Sequence, residues 1–194
     1  METITPNPED IKRALKVLIA AIGEDPEREG LKDTPDRIMR MWQEIFRGYN
    51  PDKKPKITTF KNTLKEEEMV FDAGDFYSMC EHHILPFFGN YYFAYIPSPE
   101  GRILGISKVA RVVGYCAAKL QLQERLAHDI VDMLSEALDG KAQGFAIVLK
   151  GRHMCKSMRG VRNRGEMSVS YFTGVFQKNK QLRNEFFEMI RISE

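Results

Sequence analysis

No apolar run in the 194 residues approaches the roughly 18 that a membrane span needs, and the opening METITPNPEDIKRALKV lacks the basic-then-apolar order of a secretory signal. A cytoplasmic location with no membrane partner is the expectation. An excess of one charge is missing too. With 29 Lys+Arg against 27 Asp+Glu, the net charge of +2 makes no electrostatic case for nucleic acid, so any basic site must be local. Cysteine is scarce: Cys80, Cys116 and Cys155 are odd in number and far apart, which excludes a disulfide framework as the organising device and fits reduced thiols or metal ligands. No internal repeat stands out. At 43% hydrophobic, the chain is long enough to close one sizeable core with small appendages.

The first fifty residues carry helical signals. Asn7-Pro8 supplies an N-cap and a first-turn proline, and Ile11, Leu15, Leu18, Ile19 and Ile22 form one stripe, predicting a helix over about 8–23. Thr34-Pro35 repeats the start signal, with Ile38, Met41, Trp42, Ile45 and Phe46 as the stripe and Gly48 as the stop. The Pro- and Lys-rich PDKKPKITTFKN reads as a linker or edge segment. Residues 1–60 are therefore expected to be a helical arm and linker, and 61–194 the main domain.

In that main part EMVFDAGDFYSM and NYYFAYIP read as strands, rich in aromatic and β-branched residues. Ser107 can cap a helix that buries Val109, Val112, Val113, Cys116 and Leu120. A second helix carries Leu126, Ile130, Met133, Leu134 and Leu138 up to Gly140. GFAIVLKGRHMC and MSVSYFTGVF return as strands, and an amphipathic tail has Leu182, Phe186, Met189 and Ile190 in register. Two strands, two helices and two strands without βαβ alternation predict an α+β fold, an antiparallel sheet with helices on one face.

Three of the chain's seven Cys and His residues crowd into Cys80, His82 and His83. Cys80 and His83 have the spacing of a zinc half-site, and Cys155, after a predicted strand, supplies a third soft ligand. Three protein ligands leave a tetrahedral position for water, the catalytic pattern. The competing reading makes both cysteines buried small apolar residues. Against it stands the second His-x-Cys at RHMC, since in a strand His153 and Cys155 point to one face. His82 and His153 then stand beside the metal as candidates for proton transfer.

SMCEHH, LGISKVAR, LQLQERL and RHMCKSMRGV, in this order, resemble the signature segments of the GTP cyclohydrolase I family, zinc enzymes that convert GTP to dihydroneopterin triphosphate and formate. The similarity runs from about residue 30 to the C-terminus. It implies the tunnelling fold: a four-stranded antiparallel sheet backed by two helices in each subunit, five subunits closing a barrel, and two such rings making a decamer.

Residue by residue, the resemblance implies zinc on Cys80, His83 and Cys155, with His82 and His153 around the reacting guanine. Gln123 and Glu124 resemble the pair that reads the base, where a carboxylate offers paired acceptors to adjacent N–H donors that adenine lacks. Ser107, Lys108, Arg111 and Arg159 resemble ribose and triphosphate contacts, and Arg37 in TPDR matches a further arginine; a triphosphate demands several cations. Ser107 is also implied in proton transfer during ribose rearrangement. Arg152, Lys156, Arg162 and Arg164 read as bystanders, and the Arg152 and Lys156 that flank HMC depart from the smaller or apolar residues usual there. A nucleoside deaminase is disfavoured, because its His-x-Glu with Pro-Cys-x-x-Cys is absent. The remaining alternative is a non-catalytic, zinc-stabilised oligomeric module for pterins or purines. Loss of His153, Glu124 or Arg159 would favour it, and all three are present.

Overall fold

The structure, a computed structural model, describes residues 7–194. They fall into two compact units, ending and beginning at Ile45 and Phe46. The first holds α1 (Pro8–Ala21) and α2 (Thr34–Ile45). The Asn7 side chain accepts from the Asp10 N–H at 2.9 Å, satisfying one of the donors that a helix start leaves open. Gly23, at φ +93°, closes α1: only glycine takes that left-handed conformation without steric cost, and it lets Glu24 N–H reach back to Ile19 O. Of the expected stripe only Leu15 is buried, whereas Leu18 and Ile22 are 61% and 81% exposed. Periodicity placed the helix correctly but overstated what the chain itself covers.

The second unit begins earlier than the expected boundary at residue 61. Gly48 N–H donates to Ala118 O, and β1 (Thr59–Lys61) pairs antiparallel with β4 (Arg102–Leu104), so 46–60 packs with the main body. Gly48 serves close approach rather than helix termination: a Cβ there would meet Tyr115 O at 2.4 Å.

The principal sheet contains β2 (Val70–Cys80), β3 (Leu85–Ile96), β6 (Gly144–His153) and β7 (Met167–Phe172), antiparallel in that spatial order. The two-residue β5 (Leu120–Gln121) adds parallel to the end of β2. Registers Cys80↔Leu85 and Phe87↔His153 bring the ends of β2 and β6 level across β3. One face carries Phe76, Phe87, Tyr91, Phe93, Ile147 and Leu149 beneath α3 (Lys108–Ala117) and α4 (Gln123–Ala137). Each such apolar side chain removed from water contributes ~1.5–3 kcal/mol.

The other face is also covered. Tyr92, Ala94, Ile96, Ala146 and Val148 lie under Phe176, Phe186 and Ile190 of α6 (Gly174–Lys178) and α7 (Lys180–Ser193). This corrects the expectation of helices on one face only. NYYFAYI and GFAIVL are continuous apolar runs, the pattern of strands buried on both sides. A further correction concerns Cys155: β6 stops at His153, and Cys155 sits in the short α5 (Met154–Ser157). His153 and Cys155 converge through a strand-to-helix junction, not through strand alternation.

Candidate active site

Where β2, β6 and the start of α4 end together, a cavity of about 880 Å³ opens. Cys80, His82, His83, Gln123, Glu124, His153, Cys155 and Arg159 line it, so eight of the expected site residues meet at one place. Ser107, Lys108 and Arg111, at the start of α3, do not line it, and the Ser107 hydroxyl makes no capping bond. Arg37 belongs to the first unit, 3.7 Å from Asp33. Lys156, read from sequence as a bystander, does line the cavity and donates to Gly165 O at 3.3 Å.

Ligand atoms of Cys80, Cys155 and His153 all lie within 4.8 Å of one another. The donor set, two thiols and an imidazole, suits a borderline-soft cation such as zinc. Burial, and next the adjacent Cys80 thiol, push the Cys155 thiol up. Two neighbouring thiolates repel each other, and a divalent cation between them removes that cost. The residues therefore fit a metal. His83 is not in this cluster: its Nε2 accepts from the Arg159 guanidinium at 2.9 Å, since arginine can only donate. Cys80 Sγ instead has His82 Nδ1 at 3.8 Å.

The turn that carries Cys80, His82 and His83 is tied at both ends. Ile84 N–H closes it onto Cys80 O at 2.9 Å, with Ile84 itself at φ +54°, a costly conformation for a β-branched residue. Glu81 pairs with Arg125 of α4, whose Nε donates to Gln121 Oε1 at 2.9 Å, and Glu81 N–H donates to Gln121 O. Gln121, 1% exposed, also donates to Asp129 at 2.8 Å. Sequence reasoning missed Arg125 and Gln121. The available signal was two glutamines alternating with leucines in LQLQ, a period of two that breaks the helical stripe expected to run to Leu120.

His153 is held on its face and at its edge. Phe87 stacks on it at 4.4 Å with 6° between planes, and Nε2 stands 2.9 Å from Gln123 Oε1. Burial holds His153 below the ordinary imidazole range, opposed by the Glu124 carboxylate and assisted by Lys156 and His82, so the ring stays neutral to lower pH. Glu124 faces the cavity as an exposed carboxylate. Together the wall offers soft ligands, a neutral imidazole, a carboxylate acceptor and the cations Lys156 and Arg159. That is equipment for metal-assisted proton-transfer chemistry on an anionic ligand.

The sequence profile of the family described as GTP cyclohydrolase I matches residues 11–191. The chain is 46% identical over 185 residues to GTP cyclohydrolase 1 of Clostridium perfringens, covering 94% of this chain and 97% of that one. It is 44% identical over 183 residues to GTP cyclohydrolase 1 of Caldanaerobacter subterraneus, covering 94% and 96%. The Bifunctional protein FolKE of Lactococcus lactis is 43% identical over 186 residues, which span 93% of this chain and 52% of that longer protein. With a profile match across nearly the whole sequence and relatives this similar end to end, the chain belongs to the GTP cyclohydrolase I family.

Proposed function

We propose that this protein hydrolytically opens the imidazole ring of GTP and carries it to 7,8-dihydroneopterin triphosphate with release of formate, a product that feeds tetrahydrofolate synthesis in the cytoplasm. The observation that carries the reading is the convergence of Cys80, Cys155 and His153 in a cavity that also presents Glu124 and Arg159. Cys80, His83 and Cys155 would hold zinc, which would supply Lewis acidity toward water near neutral pH. Glu124 accepts from the guanine N–H groups and orients the base. Arg159 and Lys156 attract the triphosphate. Water adds to C8 of the purine while His153 or His82 gives a proton to the ring nitrogen, and the imidazole ring opens. A second hydrolysis releases formate, Ser107 takes part in proton transfer as the ribose rearranges, and the six-membered ring closes.

The cluster itself favours a second reading of the metal, with His153 rather than His83 as the third ligand. Zinc content separates the two: His83→Ala loses metal under the first reading and His153→Ala under the second.

Ser107, Lys108 and Arg111 do not line their own chain's cavity, so their roles require another copy. The proposal therefore includes the tunnelling-fold barrel closed by five subunits and a decamer of two rings. The outer edge of β7, unpaired among the described residues, supports such an assembly. Among the described residues no helix is long and apolar enough to cross a membrane. The decisive experiment incubates zinc-loaded protein with GTP and follows formate and the pterin chromophore. Full zinc occupancy with no formate would sink the proposal.

A further inference from the structure

Gln123 opens α4 and is 1% exposed, yet every polar atom of its side chain is engaged. Its Nε2 donates to Leu149 O at 2.8 Å and to Met167 O at 2.9 Å, which uses both amide hydrogens. Turning the amide over would set its oxygen against two carbonyl oxygens, so the orientation is fixed by β6 and β7 themselves. Oε1 therefore faces His153 Nε2 as an acceptor, and only a protonated Nε2 can answer it. A neutral imidazole has one N–H, so Nδ1 keeps the lone pair.

From this geometry we infer that Gln123 is a positioning residue: it holds the His153 ring in one orientation as the Nε2–H tautomer, so that Nδ1 alone keeps a free lone pair. An amide oxygen accepts from Nε2–H whether the imidazole is neutral or protonated, so the clamp need not rearrange during turnover. Phe87 fixes the ring plane and Gln123 fixes its rotation within that plane. Gly151 belongs to the same device, because a Cβ there would come within 2.6 Å of Gln123 Oε1. The role differs from the base reading expected from sequence, for a side chain with both donors spent on backbone has none left for a purine.

The inference rests on the reading of His153 as a working residue of the proposed site, but its test does not. Full-length, zinc-loaded protein labelled with ¹⁵N-histidine is studied by solid-state NMR, His153 being assigned by its loss in His153→Ala. Wild type is expected to show a protonated Nε2 and an unprotonated Nδ1. Gln123→Met, similar in size but without the acceptor, is expected to show mixed tautomers and a kcat about 10²-fold lower, within the range seen when an outer partner of a site is removed or a tautomer is lost. KM for GTP and zinc content stay unchanged. A base-reading Gln123 would instead raise KM and leave the tautomer alone, and that result overturns the inference. So does a wild-type spectrum with the proton on Nδ1, which decides the matter even if Gln123→Met does not fold. Absence of GTP turnover in wild type would remove the functional reading while leaving the tautomer result standing.

Discussion

Replacing Gly151 by alanine will drive a methyl group into the amide of Gln123. The new Cβ would stand 2.6 Å from Oε1, 3.2 Å from Cδ and 3.4 Å from Phe76 Cζ, so Oε1 must retreat by roughly 0.8 Å to reach ordinary contact near 3.4 Å. A free side-chain end would yield cheaply. This one is pinned through Nε2 to Leu149 O and Met167 O, so retreat stretches those bonds or the 2.9 Å bond to His153. Overpacking in a tight site costs about 1–3 kcal/mol, and one buried hydrogen bond is worth about 0.5–1.5 kcal/mol net. The expected loss is ~2–4 kcal/mol, read as a lower urea midpoint at unchanged slope. Formate release should fall with it. Gly140→Ala is the control: at φ +65° with nothing within 4 Å it costs ~1–2 kcal/mol of backbone strain and leaves turnover alone. A Gly151→Ala protein with wild-type midpoint and wild-type formate release would refute the reasoning.

Other perturbations separate the parts of the site. Cys155→Ser should lose zinc, measured by elemental analysis, whereas Cys116→Ser should retain it, since Cys116 is fully buried in the helical layer and its thiol is pushed up to about 12, chiefly by burial. Full zinc in Cys155→Ser would overturn the ligand assignment. Glu124→Ala should cripple GTP turnover while leaving zinc bound, because sites built on paired hydrogen bonds discriminate by roughly 10⁴ or more; unchanged kcat/KM removes Glu124 from base recognition. Burial, then the Glu194 carboxylate, raises the Tyr92 phenol to about 12. The unfolded chain releases that proton near pH 10 while the folded protein keeps it, so stability should fall as pH rises from 10 toward 12. Urea midpoints in Tyr92→Phe should show a shallower alkaline decline, and an identical slope would exclude Tyr92 as its source.

The Cys80/His83 spacing and RHMC pointed to one cavity from sequence alone, because residues at strand ends that meet across β3 keep their chemistry visible in short motifs. What stayed hidden depends on tertiary partners. The apolar runs in β3 and β6 announced burial on two faces, but a sheet backed on one side was inferred from element order, and α7 was taken for a tail. Cys155 was placed in a strand because His-x-Cys has period two, whereas the backbone turns helical immediately after His153. Gln123 was expected to read the base together with Glu124, but the carbonyls of Leu149 and Met167 arrive from distant strands to take up both of its donors. Likewise Leu18 and Ile22 show that an amphipathic period records where a face wants cover, not which surface provides it.

The level ends of β2 and β6 have a consequence for how the protein would acquire the proposed metal. Cys80 arrives on one strand and Cys155 just beyond another, and β3, lying between them, sets the two strand ends level. An unfolded chain offers a cysteine and a histidine three positions apart, a weak and unselective hold on any cation. Strong affinity appears once β3 has zipped to both neighbours, and a slip of one residue in the β3–β6 ladder would turn His153 and its flanking residues to the opposite side of the sheet. Loading of the proposed zinc would thereby be a proofreading step: a chain that has mispaired its central strands could not bring its thiols together, so metal uptake during refolding would report the completion of the sheet.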